Sequence, residues 1–224
     1  IASRIAPESY GQAKILHKAF FLHYYKQDKA AADSCCRRAI AIYGKTAAPA
    51  DRRLIEIRGN QAIGYIPARI GEAEEIIVGL LPLIENHYGK EDYTYPTLLS
   101  TLASVYAFRV QAERALPLFE ESSEILRQLF GERHESYYNA LNNQAMIYMR
   151  TERFAEAEAL LLRSLQIRRE LTGTENPAYV KALNNLAVMY LNMGSYGRAA
   201  ERFRQVAESS ERLLGEASRR RLLA

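Results

Sequence analysis

The chain has 224 residues, 48% hydrophobic and 25% charged, with 30 Lys and Arg against 26 Asp and Glu for a net charge of +4. No apolar run approaches the ~18 residues that a membrane span requires, so no membrane partner is expected. The two cysteines, Cys35 and Cys36, are adjacent; that spacing suits neither a disulfide framework nor a metal site, and points to small side chains on a helix in a reducing, cytoplasmic setting.

In chain order, residues 8–43 carry two helical patterns split near Gln27-Asp28-Lys29, a degenerate pair. Residues 52–88 hold two more. Asn60, Ala62 and Tyr65 belong to the first and Gly71, Ala73 and Ile77 to the start of the second, with Pro67 in a short turn between them. Helices are expected near 93–109 and 112–130, then near 135–150 and 153–172. In the last pair, Asn176 and Pro177 read as an N-cap and first helical residue, opening a helix to about residue 192. Gly194 and Gly197 mark the next turn, and a final helix over about 198–214 precedes a basic tail, 216–224. Across 198–221, Arg198, Arg202, Arg204, Arg212, Arg219, Arg220 and Arg221 face only Glu201, Glu208, Glu211 and Glu216, so most of the basic surplus sits at this solvated end. The chain lacks an initial Met and a visible signal peptide, which points to a processed or excised piece.

Gly89, Gly131, Gly173 and Gly215 stand 42 residues apart, the mark of an array of one supersecondary unit. Residues 131–148 lie over 173–190 without a gap. Each glycine is expected to end a second helix, in left-handed backbone that other residues adopt at a cost. Leu186, Ala187, Tyr190, Ala199 and Phe203 repeat as Gln144, Ala145, Tyr148, Ala157 and Leu161, and as Leu102, Ala103, Tyr106, Ala115 and Phe119. The alanines are small because closely crossing helices leave no room there, while Tyr and Phe fill the wider space beside them. The interval breaks between Gly44 and Gly89, where Tyr-Gly-Lys recurs at an offset of 45. Five helix pairs are counted, at about 8–44, 51–89, 93–131, 135–173 and 177–215, in one elongated domain over 1–224.

The small-residue, Tyr, Ala, aromatic frame at Ala187, Tyr190, Ala199 and Phe203 resembles the tetratricopeptide repeat (TPR). The ordinary unit is about 34 residues, so 42 adds roughly one turn to each helix. Leu-Asn-Asn-Leu-Ala-Val-Met-Tyr at 183–190 and the Gly-x-x-x-Pro link at 173–177 are similar to the kinesin light chain type. The resemblance implies an all-α, right-handed superhelical solenoid of antiparallel helix pairs. Length alone would also suit HEAT or armadillo units; the regular frame favours TPR.

With Leu186, Ala187 and Tyr190 inward, the stripe Lys181, Asn184, Val188 and Asn192 lies on another face of its helix. Its equivalents are Asn139, Asn142, Met146 and Arg150, and then Thr97, Ser100, Ser104 and Phe108. Stacked pairs of this kind line an inner, concave wall with their first helices, so the stripes are expected to share one groove. Asn142-Asn143 and Asn184-Asn185 are the sharpest signal, because Asn is a mediocre helix former yet recurs mid-helix. A side-chain amide donates and accepts, and so can hold the backbone of an extended peptide. The resembling families use groove asparagines this way. The competing reading is a bond across to the neighbouring repeat. Lys181 and Arg150 would favour acidic or carboxylate-bearing segments, or serve as ordinary surface charge, and Met146, Val188 and Phe108 offer apolar contact.

His17, His23, His87 and His134 are scattered, with no i,i+4 pair, metal-ligand spacing, phosphate-binding loop or nucleophile elbow nearby. No enzyme activity and no cofactor are expected. The leading expectation is a non-enzymatic scaffold that binds an extended peptide or partner segment. The alternative is a regulatory or assembly segment of a larger signalling polypeptide, acting through intramolecular or self-association contacts. Nucleic acid binding would need basic side chains along the groove, and the surplus lies at one end.

Overall fold

The structure, a computed structural model, describes residues 10–222. The described residues form ten α-helices and no strand, the all-α run of helix pairs expected from the repeat. They fall into two compact units, divided along the chain between Gln111 and Ala112.

The first unit holds α1 (Tyr10–Tyr25), α2 (Lys29–Thr46), α3 (Arg52–Tyr65), α4 (Ile70–Tyr88) and α5 (Thr94–Phe108). Each packs on the next, and α3 also touches α5. The second holds α6 (Ala112–Phe130), α7 (Glu135–Arg150), α8 (Phe154–Thr172), α9 (Pro177–Asn192) and α10 (Tyr196–Leu222). Again each packs on its successor, with α7 touching α9.

Local chemistry sets most boundaries. Asp28, Asp51 and Asn176 cap α2, α3 and α9 by accepting from Ala31, Arg53 and Ala178 backbone N–H groups at 3.1, 3.0 and 2.7 Å, so each meets one orphan donor of the first turn. His134 caps α7 through Nδ1, which accepts from the Ser136 N–H at 3.2 Å. Gly89, Gly131 and Gly173 close α4, α6 and α8 with φ of +82°, +77° and +74°. At Gly89 and Gly173 ψ is 167° and −172°, extended rather than left-handed helical, a region essentially reserved for glycine.

Gly215 behaves differently. It lies inside α10, which runs on to Leu222, so the expected helix end at residue 214 is corrected. Gly131 and Gly173 are followed by residues that restart a helix under a new cap. Gly215 is followed by Glu-Ala-Ser-Arg-Arg-Arg-Leu, mostly good helix formers, and one glycine costs only about 1 kcal/mol relative to Ala. Gly44 likewise lies within α2.

The turns inside four of the five pairs share one geometry. Asp28, Gln111, Arg153 and Ser195 donate back to the carbonyls of His23, Tyr106, Tyr148 and Tyr190 at 2.8–2.9 Å, the long bond of a Schellman motif. The preceding residues, Gln27, Val110, Glu152 and Gly194, take φ of 62°, 61°, 60° and 78°. Only Gly194 is a residue suited to that conformation, and β-branched Val110 is the most strained.

Cores follow the frame. In the second unit Ala145, Ala157, Leu161, Leu186 and Ala187 are fully buried, with Tyr148 and Tyr190 beside them. Gln144 is buried where the other pairs carry Leu102 and Leu186. In the first unit Ala13, Phe20, Cys36, Ala39 and Ile57 form the centre. Both cysteines are free, and burial lifts the Cys36 thiol to about 12.

Candidate functional site

In the second unit, α7 and α9 present one first-helix face. Lys181 and Asn192 are exposed, and Asn184 and Val188 half-buried; Asn139, Asn143, Met146 and Arg150 are exposed, whereas Asn142 is only 9% exposed. Asn185 Nδ2 donates to Asn142 Oδ1 at 2.9 Å. The second asparagine of the later pair thus reaches back to the first of the earlier one. The side chains of Asn143 and Asn184 make no hydrogen bond among the described residues, so the face offers two uncommitted amides flanking a bonded pair.

Beside this face stands a residue that the repeat frame does not single out. Arg168, on α8, is 4% exposed, with its guanidinium 4.0 Å from the centre of the Tyr138 ring. Nη1 donates to the Ala178 carbonyl and Nη2 to Asn139 Oδ1, both at 2.8 Å. Burial pulls its pKa below the usual guanidinium value, opposed by Tyr138 and Glu135. Its frame equivalents are Leu126 and Ser210, so no periodic signal marks it. Asn139, expected to face a ligand, is therefore held by this arginine through its carbonyl oxygen.

In the first unit, Ser104 donates within α5 to the Ser100 carbonyl at 2.8 Å, and Phe108 is 53% exposed. Thr97, in the same stripe, lines a cavity of about 290 Å³ between α1, α3 and the start of α5. Phe21, Ile63 and Leu98 supply its apolar walls, and Gly59 its closest helix approach: a Cβ there would stand 3.0 Å from Leu98 Cδ2. Two polar contacts cross it. His17 Nε2 lies 2.7 Å from Asn60 Nδ2, and the Tyr93 hydroxyl donates to Glu56 Oε1 at 2.5 Å. Burial pulls the His17 pKa below its usual value, with Glu56 opposing, so the neutral ring accepts from the Asn60 amide. Burial and the Glu56 carboxylate push the Tyr93 phenol up. Sequence reasoning missed this site, because it joins α1 and α3 of the irregular repeats to the start of α5, and no fixed spacing ties His17, Glu56 and Tyr93 together.

Among the described residues no group of three or more His, Cys, Asp or Glu side chains is placed to hold a metal ion, and no helix is long and apolar enough to cross a membrane.

Two family models, both described as tetratricopeptide repeat, match residues 97–136 and 136–212, together just over half of the chain. The chain belongs to the tetratricopeptide repeat family. No curated protein matches this TPR chain in sequence. Solved structures share its fold at low identity. TPR-like repeats described as kinesin light chain from Podosopora anserina superpose with a TM-score of 0.70 at 19% identity, covering 92% of this chain and 98% of theirs. BtubC (BKLC) from P. vanneervenii gives 0.76 at 21%, covering 92% and 82%. Bacillus thuringiensis PlcR, in complex with the peptide PapR7 and DNA, gives 0.73 at 11%, covering 98% and 76%. These likenesses show the helical-repeat fold.

Proposed function

We propose that this TPR chain is a non-enzymatic interaction module that binds an extended peptide or partner segment along its first-helix faces. One observation carries the reading: Asn143 and Asn184 hold uncommitted amides on the α7–α9 face, beside exposed Met146 and half-buried Val188. A helix interior gains nothing from asparagine, whereas an extended backbone needs a donor and an acceptor at each step. Lys181 adds a cation at the same face. PlcR, a protein of the same fold, is seen with a peptide. That supports the class of ligand without naming it.

The test is Asn143→Ala with Asn184→Ala, scored against a peptide selected from a display library on the full chain. Affinity should fall about tenfold, for the loss of roughly two hydrogen bonds, with helicity and melting unchanged. Equal affinity overturns the reading.

A further inference from the structure

The cavity of the first unit has a chemistry of its own. Its one formally charged lining residue is Glu56, a quarter exposed. Arg52 is the nearest counter-ion, yet its Nη2 is committed to Asp92 at 2.5 Å. Its Nε stands 3.4 Å from Glu56 Oε1 without hydrogen-bonding geometry, so two carboxylates share one guanidinium. The contacts from Tyr93 and Arg52 both fall on Oε1, which leaves Oε2 as the acceptor for a ligand. A second feature is Thr94: it is 3% exposed and lines the same cavity, and its Oγ1, beside the Tyr93 hydroxyl, has no partner of full hydrogen-bonding geometry. A buried hydroxyl left unpaired costs free energy that a ligand atom would recover. Around these two groups stand the Phe21 ring, 40% exposed, and the aliphatic walls of Ile63 and Leu98.

We propose that this cavity is a socket for one basic side chain, lysine or arginine, of a bound peptide. The inference rests on the peptide-binding reading above and adds to it a residue class and a place. A volume of 290 Å³ is at the lower edge of small-molecule sites, the size for a single long side chain. The aliphatic stem lies along Leu98 and Ile63, as such stems do on apolar surface. The charged head reaches Glu56 Oε2 and the Thr94 hydroxyl. An acidic side chain would meet the Glu56 carboxylate. An aliphatic one would leave Thr94 unpaired.

The probe is n-butylammonium, a lysine side-chain mimic, titrated into the full chain and followed by amide shifts in NMR, with butyrate and 1-butanol as controls. Saturable shifts at Gly59, Asn60, Thr94 and Thr97 are expected with the ammonium and not with butyrate, and Glu56→Gln should weaken them about fivefold. Thr94→Val, which keeps shape and removes the hydroxyl, should weaken them as well. Equal shifts from butanol, no shifts at these amides, or indifference to both substitutions each overturn the socket. The same variants separate the two readings on display-selected peptides. If Asn143→Ala with Asn184→Ala weakens a peptide and Glu56→Gln does not, the socket fails and the groove stands. The reverse pattern sinks the groove and keeps the socket.

Discussion

The guanidinium of Arg168 lies over the Tyr138 ring, 4.0 Å from its centre, and from there bonds both Asn139 and the Ala178 carbonyl. One buried cation thereby ties α8 to the helix before it and to the helix after it. Hydrogen bonds to charged groups contribute about 1.5–3 kcal/mol each, and the stack adds to them. Arg168→Ala should cost about 3 kcal/mol in denaturant unfolding. Arg168→Lys should recover little, since an ammonium cannot hold both acceptors in the geometry of a planar fork. A lysine variant as stable as wild type would show the tie to be unimportant.

Asn185 and Asn142 form a neutral pair, so their bond should be insensitive to salt and pH. Either Asn→Ala change alone should cost about 1–2 kcal/mol, because it strands a largely buried amide. A double-mutant cycle should return a coupling of about 1 kcal/mol. Strict additivity in urea unfolding would count against the pair.

Backbone angles predict opposite outcomes at two turns. Gly173 has φ +74° with ψ −172°, so Gly173→Ala and Gly173→Asn should both destabilise by about 1–3 kcal/mol. Val110 has φ 61° and is 77% exposed, so Val110→Asn should stabilise by about 0.5–1 kcal/mol. Thermal melting of the three variants checks both signs.

His17 gives the fold a pH dependence. Its folded pKa is pulled below the ordinary 6.5 by burial, so the folded state binds the proton less well than the unfolded chain. The stability it contributes is complete above 6.5 and is lost as pH falls through that value toward the folded pKa. Melting temperature should drop between pH 7.5 and 5.5, and His17→Gln, which keeps a side chain able to bond Asn60, should flatten that drop. A slope equal to wild type in the variant would remove His17 as its source.

The repeat was legible wherever one residue type meets one steric demand. Ala145 and Ala187 are fully buried, Gly131 and Gly173 close their helices, and Asn176-Pro177 opens α9. Legibility failed where the demand was met by an unsuited residue or where no residue recurs. Gln27, Val110 and Glu152 hold the positive φ that a glycine would have advertised. Gly215 carries the periodic signal without the turn. Arg168 and the cavity groups occur once each, so periodicity is silent about them. The asparagine pairs lay between these cases, because their frame was clear while the partner of each amide depended on how α7 and α9 meet.

That meeting has a consequence for symmetry. Asn142 shares its frame position with Asn184, yet it bonds Asn185, one residue further on. The link is diagonal: the leading amide of one pair is taken by the trailing amide of the next, which leaves the next leading amide open. Such a link is head-to-tail, with a donor side and an acceptor side that differ. It distinguishes forward from backward along the array, so the peptide proposed to lie across Asn184 would meet surroundings that differ with the direction of its backbone.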